Sequence, residues 1–355
     1  QTKGQLALRH YVFNNGSSEY IGYAPSVMAN DQLTWETTDQ WNVGVDFGFL
    51  KNRINGTVEF YLQNTKDLLL KRQLPVVSGF SSVMSNVGST RNKGIEITLN
   101  TRNIMNRNFT WSTDLTFSAN KEEIVELYNG KTDDVGNLWF IGQPIDVYYN
   151  YKKIGIWQNT ENDLAEMAKF NEKGANFKPG SIRLEDVDGD YKITEEDKQI
   201  LGSVRPKFVA SMVNNFEFKG FDLSVFLYAS VGGLLRNNIE FMEKPGRGNT
   251  VKVDYWTPTN PTNAFPRPSV DVEKLDYIST LGYDKADFLR IRNITLGYTL
   301  PEMWSKKVLM DKIRIYLSAN NPAIFTNFTG IDPEGANGRT APSYSTWMFG
   351  INLSM

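Results

Sequence analysis

The chain has 355 residues, of which 38 are basic and 40 acidic, and this near balance excludes the electrostatic footprint of a nucleic-acid-binding protein. It contains no cysteine, which excludes a disulfide framework, a thiolate metal site and a cysteine nucleophile. No apolar run approaches the roughly 20 residues that a transmembrane helix needs, so only a β-barrel could carry this chain across a bilayer.

The first strands of the chain differ in how clearly they are patterned. Residues 5–13 predict a strand in which neither face is clearly apolar. From Trp41 to Phe49 every second residue is apolar, and a period of two predicts a strand with one apolar face. A turn at residues 51–53 reverses the chain into a second such strand over residues 57–63.

The same alternation recurs to the end of the chain. Further strands are predicted over residues 94–100, 109–118, 208–218, 221–231, 288–300, 313–319 and 345–355. The total is about ten strands of about nine to twelve residues, the length that a tilted membrane strand requires. Alternating strands in this number predict an all-β protein.

The last strand ends on an apolar face. Trp347, Phe349, Ile351, Leu353 and Met355 alternate with smaller or polar residues. A soluble protein seldom ends on an exposed apolar edge strand, because such an edge pairs with other chains. In a membrane barrel the same face meets lipid. This pattern favours a barrel, and an edge strand of a soluble β-sandwich is the alternative.

The connections between the predicted strands alternate between long and short. The long connections are 14–40, 72–92, 120–206, 233–285 and 322–344, and the short ones are 51–53, 102–108, 219–220 and 301–311. Outer-membrane barrels have short periplasmic turns and long extracellular loops, whereas a sandwich has no reason to segregate them. The pattern therefore predicts an antiparallel transmembrane β-barrel, with 120–206 and 233–285 as long extracellular loops if the C-terminus is periplasmic.

Short stretches along nearly the whole chain resemble the SusC-like (SusC/RagA) TonB-dependent outer-membrane transporters of Bacteroidota. The matching stretches are 33–37 (LTWET), 42–46 (NVGVD), 92–96 (NKGIE), 186–190 (DVDGD) followed by 193–194, 288–301 (FLRIRNITLGYTLP), 320–321, 325–326, 330–334 (GIDPE) and 350–353 (GINL).

The resemblance implies a 22-stranded barrel blocked by a plug, of which residues 1–355 correspond to the C-terminal part. On that expectation the plug and the N-terminal part are absent, and residues 5–13 pair with a strand outside this sequence. The resemblance also implies an importer of oligosaccharides or peptides in the cell outer membrane. Its partners are a SusD-like surface lipoprotein that forms a lid and the TonB complex, which is contacted through the missing N-terminal part.

The sharpest local motif is an acidic loop over residues 186–197. Its oxygen donors stand at positions 1, 3, 5, 7, 9 and 12 of a Ca²⁺-binding loop: Asp186, Asp188, Asp190, the carbonyl of Lys192, Thr194 and Asp197. Carboxylates crowded into one loop repel each other unless a cation neutralises them. The pattern predicts a structural Ca²⁺ site.

Two features distinguish this loop from a complete EF-hand. Tyr191 occupies position 6, where glycine normally permits the sharp turn, and residues 181–185 predict a strand instead of an entering helix. Thr194 begins a helix-capping pattern that predicts a short helix ending near Gly202. A plain Asp-rich turn is the alternative interpretation.

No catalytic residue and no organic cofactor site is predicted. His10 is the only histidine, which leaves little basis for a His-dependent triad or metal site. Aromatic residues in the longest loop either contact sugar rings or the lid, or pack within the loop: Tyr148, Tyr149, Tyr151 and Trp157. Prolines are expected to hold the second long loop extended as a docking surface: Pro258, Pro261, Pro266 and Pro268.

Two classes of function therefore stay open. The first is a transport barrel, which is not an enzyme. The second is a secreted, calcium-stabilised β-rich protein that binds glycans or cleaves them as a glycosidase. Outer-membrane fractionation separates the two classes.

Overall fold

The structure is a computed structural model that describes residues 5–12, 19–237, 253–268, 277–335 and 343–355. Its first eight strands are Gln5–Val12 (β1), Glu19–Met28 (β2), Thr37–Phe49 (β3), Ile54–Lys66 (β4), Leu69–Gln73 (β5), Ser82–Asn86 (β6), Ser89–Met105 (β7) and Phe109–Glu126 (β8).

The remaining elements follow in chain order. The strands are Val147–Tyr151 (β9), Lys153–Ile156 (β10), Ile182–Leu184 (β11), Lys198–Ser203 (β12), Phe208–Phe218 (β13), Phe221–Val231 (β14), Leu234–Arg236 (β15), Tyr283–Lys285 (β16), Phe288–Thr299 (β17), Lys312–Thr326 (β18) and Thr346–Ser354 (β19). The helices are Glu161–Glu172 (α1) and Glu302–Ser305 (α2), with short 3-10 turns at Val76–Ser78, Glu195–Asp197, Ile278–Thr280 and Lys306–Val308. Within the described residues, none of the helices has the length and apolar character needed to cross a membrane.

Among the described residues, nine strands form one sheet in the order β19-β18-β17-β14-β13-β8-β7-β4-β3. The pairings from β13 through β14, β17 and β18 to β19 are antiparallel. Strand β8 extends to Glu126, so the long connection that was predicted to begin at residue 120 begins later. The all-β expectation is confirmed, with nine strands in this sheet where the sequence suggested about ten.

The two faces of this sheet have opposite chemistry, as the alternation predicts. The register places one apolar residue from each of five strands in a row: Phe349, Leu317, Leu296, Leu223 and Phe216. Phe349 keeps 69% of its surface exposed. The row on the opposite face is Met348, Ser318, Thr295, Ser224 and Asn215, which is mostly polar. Apolar residues facing outward in rows suit contact with lipid, and the polar face suits a wet lumen.

The short connections meet at one edge of the sheet. Tyr298, near the end of β17, lies opposite Phe221 at the start of β14. The amide of Asp311 donates to the carbonyl of Ser354 at 2.8 Å, which brings the end of β19 to the same place. We call this the short-turn edge, and it carries the connections 219–220 and 300–311. The predicted segregation of short turns is confirmed for these strands.

The placement of the first strand differs from its prediction. Strand β1 belongs to a separate four-stranded sheet in the order β1-β2-β6-β5, and it pairs antiparallel with β2 of the same chain. The expectation that residues 5–13 belong to the same sheet as the other predicted strands is therefore wrong, whereas their pairing with a strand outside this sequence stays a prediction. The connection of residues 13–18 is short, so closing this local hairpin costs little loop entropy. Strand β2 also pairs with β6 in parallel.

The chain divides into two compact units. The first comprises Gln1–Phe47, Thr57–Ile97 and Ser118–Ile145, and the second comprises Gly48–Gly56, Thr98–Phe117 and Asp146–Met355. In the first unit the Tyr61 ring lies over Gly94, where an added Cβ would come within 2.5 Å of the ring. This close approach explains why glycine stands in the NKGIE stretch. The second unit contains the parts of the long loops that are considered next.

Candidate functional site: the long-loop module

The described parts of the two longest connections that lie in the second unit fold into one structured body. We call it the long-loop module, and it consists of residues 147–203, 253–268 and 277–286. Strand β9 pairs with β12, and β10 pairs with β11, so the loop between β8 and β13 carries its own secondary structure. Strands β15 and β16 pair where the second connection leaves and rejoins the sheet.

Helix α1 has capping residues at its first turn. The side chain of Thr160 accepts a hydrogen bond from the amide of Asp163 at 3.2 Å, so an orphan donor of the first turn is satisfied. Asp163 in turn accepts from the amide of Gln158 at 2.7 Å. Met167 and Phe170 are buried on the inner face. The helix is therefore fixed both at its start and along one side.

An aromatic cluster packs beneath this helix. Trp157 is only 1% exposed, and its ring meets Phe170 edge-to-face at 5.8 Å. Phe177 completes the cluster. Trp157 is thus part of a hydrophobic core and is closed to a sugar ring. Tyr148 and Tyr151 pack edge-to-face against aromatic rings of the second loop, Tyr283 and Tyr277 respectively.

A second cluster joins the two long loops. Ile156, Ile182 and Leu184 from the first loop bury themselves against Trp256 and Leu281 of the second. These side chains share one hydrophobic core, so the parts of the two loops that belong to the module form a single folded body.

Polar contacts reinforce the junction between the loops. The indole nitrogen of Trp256 donates to Gln158 at 2.8 Å, and Lys153 Nζ donates to the carbonyl of Ala264 at 2.5 Å. Burial lowers the pKa of Lys153, although the nearby carboxylate of Asp284 opposes that shift. These contacts tie the described parts of the two loops to each other.

The proline-rich stretch is compact and not extended as predicted. Thr257 and Asn260 exchange backbone hydrogen bonds around Pro258, a residue suited to the second position of a turn. Asp254 accepts hydrogen bonds from Thr262 and Asn260, and these bonds lower the pKa of its carboxyl group. Pro266 is buried, whereas the other prolines of this stretch are exposed: Pro258, Pro261 and Pro268. The turn is held by the backbone bonds between Thr257 and Asn260 and by the side-chain bonds to Asp254, and composition does not reveal either set.

The acidic loop brings three of the predicted donors together. Asp186, Asp188 and Asp190 each place one carboxylate oxygen within 4.8 Å of the others. Ligands on opposite sides of a Ca²⁺ ion stand about 5 Å apart, because each Ca–O distance is about 2.3–2.6 Å. The spacing of these three oxygens fits one ion of that size.

Backbone amides orient the same carboxylates. Asp186 accepts from the amides of Gly189 and Tyr191 at 2.8 and 2.9 Å. Asp188 accepts from the amide of Asp190, and Asp190 accepts from that of Lys192. The loop is thereby wound around its acidic side chains, with the amide of Lys192 inside the turn.

Tyr191 adopts the backbone conformation that its position in the motif demands. Its φ is +63°, in the left-handed region that glycine favours. Its ring packs edge-to-face on Phe170 at 5.5 Å and lies under Lys169 Nζ at 5.0 Å. Tertiary packing of the ring compensates for the backbone strain and ties the acidic loop to the aromatic cluster.

Asp197 and Thr194 brace the loop from behind. The buried carboxylate of Asp197 accepts from the amides of Val187 and Thr194 at 2.8 and 2.7 Å. Thr194 and Asp197 form a capping box around a 3-10 turn of three residues. The predicted helix to near Gly202 is wrong, because residues 198–203 pair as a strand with β9 and extended backbone excludes a helix there.

A buried ionic cluster outside the module was not anticipated. Arg290 on β17 contacts Asp332, and Arg292 contacts Glu334. The hydroxyl of Ser343 also donates to Asp332. The FLRIR and GIDPE stretches contain these charges, so opposite charges in two separate motifs were the signal that could have revealed the pair. The only histidine, His10, lies in β1, and its side chain is outside the described residues.

These features define the wall segment of an outer-membrane β-barrel: a sheet with one lipid-facing and one polar face, short turns at one edge and a large folded loop module. A family model, TonB dependent receptor-like β-barrel, matches residues 9–322. The chain belongs to this family, and its place is the outer membrane. A secreted protein, the second class left open by the sequence, is therefore not retained.

Named relatives agree with this assignment. TonB-dependent receptor P3 of Formosa agariphila is 32% identical over 370 residues, which cover 95% of this chain and 36% of that protein. TonB-dependent receptor SusC of Bacteroides thetaiotaomicron is 30% identical over 365 residues, which cover 97% and 35%. The chain spans about a third of the length of the curated relatives it matches.

The fold also matches solved structures. The RagAB peptide importer in the open-open state aligns with a TM-score of 0.74 at 25% identity, covering 99% of this chain and 38% of that one. A second RagAB structure, described as a peptide transporter, gives the same TM-score at 24% identity. The resemblance to SusC/RagA transporters is therefore confirmed at the level of fold and family.

Proposed function

We propose that this chain forms part of the barrel wall and the extracellular loops of an active nutrient importer energised through TonB. The observation that carries the proposal is the two-faced sheet, whose apolar rows suit lipid and whose polar rows suit a hydrated pathway. The short-turn edge faces the periplasm in this proposal, and the long-loop module faces the cell exterior. Transport in this account involves no catalytic step.

The substrate class we propose is an oligosaccharide or a peptide. The name of the RagAB importer supports a peptide for that protein. A polar lumen face with hydroxyl and amide groups suits either substrate, because both present hydrogen-bond donors and acceptors. Uptake of labelled peptides and of labelled oligosaccharides by cells with and without the gene distinguishes the two. Equal uptake of both by the deletion strain and its parent contradicts the import function.

A SusD-like lipoprotein lid is the partner that we propose for the long-loop module. The module has exposed apolar side chains on its surface, among them Leu164, Val187 and Tyr255. Apolar residues on a preformed surface are typical of an interface. Affinity purification from native membranes is expected to recover a lipoprotein with the intact protein. Tyr255→Asp is expected to weaken that recovery, whereas Val77→Asp, an exposed change in the other unit, serves as the matched control.

We also propose that the acidic loop binds Ca²⁺ as a structural ion. The support is the spacing of Asp186, Asp188 and Asp190 and the winding of the loop around them. The carbonyl of Lys192 is the fourth donor in this proposal. Asp197 and Thr194 complete the shell in the sequence motif, but Asp197 is not among the three carboxylates that lie within 4.8 Å of one another, so we assign these two residues mainly to holding the loop in shape.

Calcium binding is testable without reference to transport. An affinity of about 10⁻⁴ M, in the range of extracellular modules, is expected for a loop with a strained residue at its turn. Titration of the purified intact protein with Ca²⁺ measures it. Asp188→Asn is expected to weaken binding strongly, whereas Glu196→Gln, an exposed acidic neighbour, leaves it unchanged. Chelation is expected to increase proteolysis within residues 160–205 while the barrel stays folded, and identical binding by both variants contradicts the assignment.

A further inference from the structure

The connection between β17 and β18 differs from other short connections at the short-turn edge. It exposes four large apolar side chains, and two of them, Met303 and Leu309, are 68% and 88% exposed. The other two are Trp304 and Val308. By contrast, the turns at residues 106–108 and 219–220 carry polar residues or glycine at their tips. Exposed apolar residues grouped in one connection signal an interaction surface.

The connection is an ordered structure. Helix α2 and the 3-10 turn Lys306–Val308 fill it almost completely. Ser305 is fully buried, and its hydroxyl lies 3.1 Å from the carbonyl of Glu302. The amide of Met310 donates to the carbonyl of Ser305 at 3.1 Å. Because Ser305 is buried and hydrogen-bonded inside the connection, the large apolar residues on either side of it point outward.

The exposed apolar residues continue the lipid-facing surface of the sheet. The strands next to the connection present Tyr298, Ile315, Ile351 and Leu353 on their apolar face. The amide of Leu300 pairs with the carbonyl of Ile313, so this face runs without interruption to the base of the connection. Lipid that contacts the apolar face of these strands therefore also contacts the connection.

The charges in the connection suit the surface of a phospholipid leaflet. Lys306 and Lys307 are exposed beside the apolar group, and Lys306 is paired with Glu302. Lysine reaches phosphate while its stem stays along apolar surface, and tryptophan prefers the interface between headgroups and acyl chains. Lys307 is the charge best placed for a lipid phosphate, because among the residues that the structure describes it forms no ion pair, whereas Lys306 does.

We propose that residues 301–311 form an interfacial anchor, seated in the headgroup layer of the phospholipid leaflet at the short-turn edge. Met303, Trp304, Val308 and Leu309 enter the boundary with the acyl chains, and Lys307 lies at the phosphates. The leaflet assignment rests on the orientation proposed above, in which this edge faces the periplasm. The anchor fixes the depth of β17 and β18 in the bilayer.

The test places a fluorophore in the intact protein, reconstituted in vesicles of phosphatidylethanolamine and phosphatidylglycerol. This chain has no cysteine of its own, so Met303→Cys provides a single labelling position within it. Arg107→Cys is the matched control, because it is exposed in the polar turn between β7 and β8. That turn lies at the same edge, since Trp111 at the start of β8 stacks on Phe216 near the end of β13 at 5.7 Å.

We expect the label at Met303 to lose emission with nitroxide lipids labelled near the headgroup and to resist aqueous iodide. The label at Arg107 is expected to show the reverse. Iodide access at both positions overturns the proposal. A label at Met303 that is shielded from iodide and from the nitroxide lipids also overturns it, because another protein surface then covers the connection.

A second variant separates anchoring from folding. Adding Trp304→Ser and Leu309→Ser to the labelled protein is expected to expose the Met303 label to iodide, while heat-modifiable migration shows that the barrel remains folded. An unchanged label in that folded variant contradicts the proposal. Labelling of Met303→Cys on intact cells by an impermeant maleimide overturns the periplasmic orientation, whereas the nitroxide result tests the lipid contact itself.

Discussion

Arg290 Nη2 lies 2.7 Å from Asp332 Oδ1, and this ion pair joins β17 to the loop that follows β18. Both side chains are almost entirely buried, with 3% and 8% of their surface exposed. Asp332 also accepts from the amide of Glu334 at 3.0 Å and from the hydroxyl of Ser343. Two stretches that are separate in the sequence, FLRIR and GIDPE, therefore meet in one charged cluster.

Removal of one partner of this pair is expected to destabilise the fold strongly. Arg290→Met leaves the Asp332 carboxylate buried without its cation, and breaking such a pair typically costs about 3–5 kcal/mol. Arg205→Gln is the control, because its pair with Asp146 is about half exposed and such pairs contribute at most about 1 kcal/mol. The temperature at which the barrel loses its heat-modifiable migration measures both. Equal effects of the two changes contradict the assigned role.

Acid is expected to release the same cluster. Burial opposes ionisation of Asp332, but hydrogen bonds from Ser343 and the Glu334 amide, together with Arg290, outweigh it and hold the pKa below its ordinary 3.8. A lowered folded-state pKa means that the stabilisation is complete above pH 3.8 and is lost as the pH falls through the folded pKa. Amide exchange in residues 330–335 is expected to rise in that window. Asp332→Asn is expected to remove this acid-dependent step, and its persistence in the variant assigns the step to another group.

A side chain at Gly297 is expected to displace an ion pair that crosses the sheet. Arg314 on β18 reaches across β17 to Asp222 on β14, with Nε 2.9 Å from the carboxylate, and the pair passes over Gly297. An added Cβ would come within 2.5 Å of both side chains. Gly297→Ala is expected to cost about 1–3 kcal/mol by overpacking and by displacing the ion pair.

The control for this change is Gly44→Ala. A Cβ at Gly44 comes no closer than 3.3 Å to the flexible side chain of Glu59, which can move aside. Thermal stability of the folded barrel is the measurement for both variants. A Gly297→Ala protein that is as stable as Gly44→Ala shows that the ion pair relocates freely.

Charges on the apolar face of the last strand are expected to impair barrel assembly. Phe349→Asp and Leu353→Asp each place a carboxylate in lipid, at a cost of about 2 kcal/mol near mid-bilayer and less near an interface. Asn352→Asp is the control, because Asn352 lies directly opposite Arg314 on the polar face. Recovery of heat-modifiable protein in outer membranes measures assembly. Equal losses in all three variants refute the assigned faces.

The sequence alone predicted those parts of the protein that depend on local periodicity. Strand β19 alternates Trp347, Phe349, Ile351 and Leu353 with smaller or polar residues, and the pleat of an extended chain turns that alternation into two faces without reference to any partner. The short turns and the all-β class followed from patterns of the same kind, whereas the family was indicated by the resemblance of short stretches such as FLRIR and GIDPE. The three aspartates at residues 186–190 are also close in sequence, and therefore close in space.

Only the tertiary structure decided which partners the segments choose and which side chains they bury. Strand β1 pairs with β2 in a separate sheet, Trp157 is enclosed in the core under α1, and Asp197 accepts backbone amides behind the acidic loop. Tyr191 holds a left-handed backbone because its ring packs on Phe170. Some of these outcomes depend on contacts between residues that are distant in sequence. Others depend on which of several groups takes a hydrogen-bond partner. The free energies of such contacts do not appear in any local pattern.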